Sequence, residues 1–263
     1  VGIHDSNGAF MDGTAASLAA YEKMLGASSV ISGVVPQISV IAGTCAGTAA
    51  MLACSSDFVI MTKESEFFMA PNSSSGSAEA AAKSGIASAV CDDDKAAIEK
   101  ARDLVNILPV NNLAPVPMFE FAENSPVSGT DLKSIINSAA DADSEIEISA
   151  EFGNASYTGF VTIGGATAGI AAAGKEGSKL NSDDCAKLAR FMRTCDAFSI
   201  PVVTFVNSEG FEDADAVSSI KAMTTLANSY SEATTVKIAV VTGKAVGPVF
   251  AAVAGNSSNS DFT

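Results

Sequence analysis

His4 is the only histidine among the 263 residues, and there is no tryptophan. One imidazole excludes a His-built zinc centre and leaves almost no material for a histidine-based catalytic triad. Cysteine is scarce as well. Cys45, Cys54, Cys91, Cys185 and Cys195 are odd in number and form no CxxC pair. Set mostly among apolar neighbours, they read as reduced core thiols of a cytosolic protein rather than as a disulfide framework. Basic residues are few, 15 against 30 acidic, and the net charge of -15 repels phosphate backbones, so no nucleic-acid partner is expected. A single anionic ligand held locally remains compatible with that charge. Long apolar runs are missing too: the stretches 34–53 and 238–254 are broken by Gly, Ser and Thr. Neither approaches the roughly 18 uninterrupted apolar residues of a membrane span. The chain opens on Val1 inside an expected strand, without an initiator Met, a basic leader or a cleavage pattern. It is therefore read as a piece of a longer chain, truncated at both ends.

A hydrophobic content of 48% is ample for a buried core. Leu18, Tyr21 and Leu25 recur at helical spacing, so 13–27 is expected to be a helix, followed by a loop at 28–33. Val34 to Ala42 is Val/Ile-rich and reads as a buried strand, with Gly43 to Gly47 as a turn, Thr48 to Ala53 as a small-residue helix and Asp57 to Met61 as a strand. A helix over 78–83, a strand over 86–90 and a helix capped by Asp92 to Asp94 follow. That helix stops at Pro109, and the proline-rich stretch after it is the expected boundary: a first half over 1–112, a linker over 113–130 and a second half over 131–263. In the second half a helix is expected over 131–139, a hairpin around Gly164 and Gly165, a helix from Ser182, as its cap, to Phe198, and a strand over 200–206.

The sequence repeats itself. Shifted by 200, Ile38, Val40, Gly43 and Gly47 fall on Ile238, Val240, Gly243 and Gly247. At 202, Asp5-Ser6-Asn7-Gly8 falls on Asn207-Ser208-Glu209-Gly210, and at 204, Ser56-Asp57-Phe58 falls on Ser260-Asp261-Phe262. Both copies carry an amphipathic helix between the matching motifs, with Val217, Ile220, Met223, Leu226 and Tyr230 as the stripe of the second. In each copy a strand ends at a glycine, a second glycine follows four residues later, and a helix of small residues begins. Such a turn leaves backbone N–H groups at a helix start, where the dipole favours negative charge and glycine allows close approach. A developing oxyanion fits there, and fixed donors of this kind supply a few kcal/mol without any titrating side chain.

The stretch SGVVPQISVIAGTCAGTAAMLACSSDFVIM resembles the N-terminal half of biotin-dependent acyl-CoA carboxyltransferases, and SDDCAKLARFMRTCDAFSIPVVTFVNSEGF resembles their C-terminal half. The likeness covers nearly the whole chain. That family includes propionyl-CoA carboxylase β subunits and the α subunits of methylmalonyl-CoA and glutaconyl-CoA decarboxylases. The resemblance implies an α/β double crotonase-type ββα superhelix and transfer of a carboxyl group between biotin and the α-carbon of an acyl-CoA. It implies an enolate hole at Gly47 and Thr48, with both backbone donors kept, and a biotin hole at Gly247 and Pro248. Gly8, Ala9, Gly43, Ala46, Pro71, Gly210, Phe211 and Lys244 would line the substrate, and no metal is implied. Biotin, borne on a separate carrier protein or domain, would also act as the base, and a coenzyme A thioester would be the substrate. A homo-oligomer is implied, dimer or hexamer, with active sites between halves of different subunits. The implied partners are a biotin carrier protein and either a biotin carboxylase or a membrane decarboxylase subunit, and the location cytoplasmic, or at a membrane through such a subunit.

Five departures from the family pattern qualify this. Thr48 stands for a usual glycine, and Pro248 has no N–H to offer. Phe10 stands where an arginine is usual, Ser208 and Glu209 where a hydrophobic residue and proline are common, and Ala70 precedes Pro71 in place of glycine. Pro248 and the lost arginine motivate one alternative, a catalytically degenerate paralogue kept as a scaffold subunit, and another crotonase-fold acyl-CoA enzyme is the second. His4 is read as structural, and Lys244 as the best placed of the lysines for CoA phosphates.

Overall fold

The computed structural model describes residues 1–9, 14–70, 76–124, 129–212 and 217–263. Phe10 and Pro71, singled out above, lie outside the described residues. The elements run β1 (Gly2–Ser6), α1 (Thr14–Ile31), β2 (Ile38–Ala46), α2 (Thr48–Cys54), β3 (Phe58–Thr62), β4 (Glu66–Phe68), α3 (Ala78–Lys83), β5 (Ala89–Cys91) and α4 (Asp94–Ile107). They continue as α5 (Leu132–Ala139), β6 (Ile146–Glu147), β7 (Ser156–Ile163), β8 (Ala166–Gly177), α6 (Ser182–Ala197), β9 (Val202–Ser208), α7 (Val217–Glu232), β10 (Lys237–Ala245) and α8 (Pro248–Val253). Two compact units result: Val1–Asn106 with Val110–Asn112, and Ile107–Pro109 with Leu113–Thr263. Residues 113–124 belong to the second unit, where the Phe119 N–H donates to the Gly165 carbonyl at 2.7 Å.

In the first unit a parallel sheet runs β1-β2-β3-β5, and β4 joins the far end of β2. Ile41, Val59 and Met61 are buried on it, and the small side chains Ala49, Ala50 and Ala53 let α2 lie close against them. In the second unit the order is β10-β9-β8-β7-β6. Its antiparallel hairpin β7–β8 turns at Gly164 and Gly165, both with positive φ. Buried Asp141 holds that turn, accepting from the Gly164 N–H at 2.9 Å, the Gly165 N–H at 2.7 Å and the Thr162 hydroxyl at 2.7 Å. Burial pushes its carboxyl up, but these donors together outweigh it and hold the group below its ordinary range.

Several sequence expectations need correction. Helix α1 continues through the expected loop to Ile31, because the Ser28 hydroxyl donates to Gln37 Oε1 at 2.8 Å and the chain reverses only at Gly33. Gly43 and Gly243 lie inside β2 and β10 rather than in turns. Asn181, not Ser182, caps α6, accepting from the N–H groups of Asp183 and Asp184 at 2.9 Å. The stripe of α7 is buried only at Leu226 and Tyr230, while Val217 and Ile220 are exposed. Cys54 is exposed rather than part of the core. Cys45 is fully buried, and burial pushes its thiol up to about 11, which leaves it unreactive.

Candidate functional site

The parallel pair β1–β2 in the first unit and β9–β10 in the second are built on one plan. Each carries an irregularity before its end, after which Ser6 faces Cys45 and Ser208 faces Ala245. The side chain just ahead of each serine fills the gap. Asp5 Oδ1 accepts from the Thr44 N–H at 3.2 Å, and Asn207 Oδ1 accepts from the Lys244 N–H at 3.0 Å. A Cβ on Gly43 or Gly243 would strike that same Oδ1, so any other residue there has to displace the side chain that fills the gap. Ser6 Oγ then accepts from the Gly8 N–H and Ser208 Oγ from the Gly210 N–H, each at 3.2 Å. Behind the strands, the Gln37 and Lys237 N–H groups donate to Asp57 Oδ2 and Asp261 Oδ2, each at 2.8 Å. The repeat read from sequence is therefore matched in three pairs of equivalent hydrogen bonds.

Each turn closes on a glycine in mirror-image backbone, Gly47 at φ 60 and ψ -130 and Gly247 at φ 58 and ψ -126, immediately before a short helix. This region is strained for any residue with a Cβ. Gly8 packs directly on the first turn, where an added Cβ would lie 2.9 Å from the Ala46 carbonyl oxygen. Phe211 and Pro248 meet at the second turn, in a cavity of about 300 Å³ also lined by Met223, Thr224, Ala227 and Ser231.

The donors differ from the expected set. The Gly47 N–H, counted as free above, donates to the Phe68 carbonyl at 2.9 Å, because β4 runs beside the end of β2. The N–H that remains at this turn is that of Thr48. In the second unit no described strand takes that position, and among the described residues no acceptor meets the Gly247 N–H. Pro248 occupies the first helical position without an N–H. Each turn thus offers one backbone donor from its glycine and the residue after it.

The charged groups fall into simple pairings. Lys244 Nζ lies 2.6 Å from Glu209 Oε1, a partner that sequence reasoning did not assign to it, and the pair holds the Glu209 carboxyl below its ordinary range. His4 Nε2 is 3.1 Å from Ser39 Oγ, and burial lowers its pKa, in keeping with a structural role. Thr48 Oγ1 is buried and, alone among the buried side-chain nitrogens and oxygens of the described residues, has no partner. Leaving such a group unpaired costs about 1–3 kcal/mol. Its only sequence signal was the replacement of a glycine. No group of three or more His, Cys, Asp and Glu side chains among the described residues is placed to hold a metal ion. Nor is any described helix long and apolar enough to cross a membrane.

A doubled, bulged parallel strand pair ending at a mirror-image glycine and a helix start defines a double crotonase-type α/β protein. The chain belongs to the carboxyl transferase family, whose domain matches residues 1–263. It is 31% identical to the propionyl-CoA carboxylase beta chain of Roseobacter denitrificans, over 100% of this chain and 58% of that protein. It is 30% identical to the methylmalonyl-CoA decarboxylase subunit alpha of Propionigenium modestum, over 99% of this chain and 57% of that protein. A transcarboxylase 12S crystal structure with methylmalonyl-coenzyme A and methylmalonic acid bound, described as a hexamer, superposes with a TM-score of 0.91 at 31% identity, over 98% of this chain and 57% of that one. The chain therefore spans a little under three-fifths of the length of these relatives.

Proposed function

We propose that this chain takes part in carboxyl transfer between biotin and the α-carbon of an acyl-CoA, with one glycine turn assigned to each of two oxyanions. The observation that carries the reading is the pair of turns itself, with Gly47 and Gly247 in the same mirror-image backbone and one N–H left at each. Biotin, carried on a separate protein or domain, would supply the exchangeable carboxyl group and the basic nitrogen. The Thr48 N–H would hold the thioester oxygen as it gains charge, and the Gly247 N–H the ureido oxygen. The second site fits such a guest: its donor is unpaired, and the adjoining cavity is walled by Phe211, Met223 and Pro248. Donors fixed in advance need no reorganisation when charge develops, so a site with no titrating acid-base pair can still accelerate the reaction.

The names of the relatives point to short acyl groups, and propionyl-CoA or methylmalonyl-CoA is the proposed substrate. Exposed apolar side chains, Leu18, Met24 and Val30 on α1 and Val217, Ile220 and Phe250 on α7 and α8, support self-association into a homo-oligomer. A biotin carrier protein is the proposed partner, with the cytoplasm as the place of action. Carboxyl transfer assayed with free biotin and each acyl-CoA tests the reading. Turnover with at least one thioester supports it, and the absence of both turnover and CoA binding with the full-length chain would sink it. A second reading, a scaffold subunit that keeps the fold without activity, is favoured by one observation, the absent N–H of Pro248.

A further inference from the structure

We infer that the Thr48 hydroxyl is the second donor of the first turn and hydrogen-bonds to the carbonyl oxygen of the bound CoA thioester, an inference that rests on the carboxyl-transfer reading above. Two independent observations meet at this residue. The Gly47 N–H is already committed to the Phe68 carbonyl at 2.9 Å, so the turn is one backbone donor short. Thr48 Oγ1 is the one buried side-chain oxygen or nitrogen among the described residues with no partner, so the fold holds a donor that nothing within it uses.

The hydroxyl and the N–H of Thr48 belong to one residue, so a single oxygen can accept from both. A carbonyl oxygen has two lone pairs for such a fork, and both bonds strengthen as it becomes an enolate oxygen. The bond asks only that Oγ1 face the ligand, a change that a χ1 rotation between staggered wells would supply. Threonine at a position where the family usually has glycine would thus restore a donor rather than merely crowd the site.

The test compares binding of propionyl-CoA with that of S-propyl-CoA, a thioether lacking the carbonyl oxygen, by calorimetry on the protein as isolated. Wild type and Thr48→Ser should prefer the thioester about tenfold more strongly than Thr48→Val does, the worth of one added hydrogen bond. Thr48→Val, which keeps the N–H and the shape, should retain only the smaller preference owed to the N–H while its melting temperature stays level or rises. A hydroxyl with a structural role would instead lower the melting temperature when removed. A preference as large in Thr48→Val as in wild type, or a Thr48→Val protein that melts lower, would each overturn the inference alone, and a wild type that binds both ligands equally would overturn it together with the role given to the Thr48 N–H. A wild type that binds neither ligand would overturn the carboxyl-transfer reading together with it.

Discussion

Gly47 and Gly247 occupy the same backbone state, φ 60 and ψ -130 against φ 58 and ψ -126, although one N–H is spent inside its sheet and the other is not. The conformation is therefore imposed by the strand-to-helix turn itself rather than by the N–H bond. What differs between the copies is the neighbour on one side: β4 lies along β2, and no described strand lies in that place along β10.

Replacing Gly247 with alanine should destabilise the protein by about 1–3 kcal/mol, the cost of holding an L-residue in this region. No atom lies within 4 Å of the added Cβ, so the loss would be backbone strain alone. Gly26→Ala, in the middle of α1 with equally open space and an ordinary φ, should instead stabilise by about 0.5–1 kcal/mol. Thermal unfolding of the two variants should show opposite shifts.

Gly243→Ala should be strongly destabilising, since its Cβ would meet the Asn207 amide. Shortening the obstacle, in the double variant with Asn207→Ser, should recover part of the loss even though Asn207→Ser alone costs the bond to the Lys244 N–H. A double-mutant cycle by chemical denaturation measures the coupling, expected at roughly 0.5–3 kcal/mol for groups in contact. Strict additivity would show that the two side chains do not compete for one space.

Lys187 is buried, with its Nζ donating to the Ser156 carbonyl at 3.1 Å, and burial pushes its ammonium down to about 8. Below that pH the group is charged in the folded and unfolded states alike, and the burial penalty is fully present. As pH rises from about 8 towards the ordinary lysine value near 10.4, the folded protein sheds the proton first, so stability should increase. The gain is on the order of 3 kcal/mol from this residue. Denaturant midpoints recorded across that window should climb in wild type and climb less in Lys187→Met.

Glu209 neutralises the cation nearest the second turn. The pair is exposed, and such pairs contribute less than about 1 kcal/mol, so Glu209→Gln should fold normally while freeing Lys244 for an anion. Affinity for coenzyme A should rise a few-fold at low salt, and the gain should fade as ionic strength increases. An unchanged affinity in isothermal titration would remove Lys244 from the ligand-binding set.

Much of the site was legible in the order of residues. The offsets of 200, 202 and 204 predicted which positions share a role, and the bonds Asp5 to Thr44 and Asn207 to Lys244 follow that alignment. Glycine carries such information well, because a mirror-image φ or a close side chain excludes every other residue. The function of Gly43 and Gly243 was less clear, since a glycine that ends a strand and one that makes room for a side chain look the same in a linear pattern. The exposed stripe of α7 was misjudged for a similar reason, as spacing shows which side chains share a face but not what covers it.

The sequence by itself determined the repeat, the family resemblance and the lack of an N–H at Pro248, all of which are properties of single residues and their order. Tertiary structure alone decided which N–H groups stay free, that Lys244 faces Glu209, and that Thr48 Oγ1 has no partner. Hydrogen bonds depend on what lies within about 3 Å in space. The strand that takes the Gly47 N–H comes some twenty residues later in the chain, and nothing in the turn's own sequence announces it.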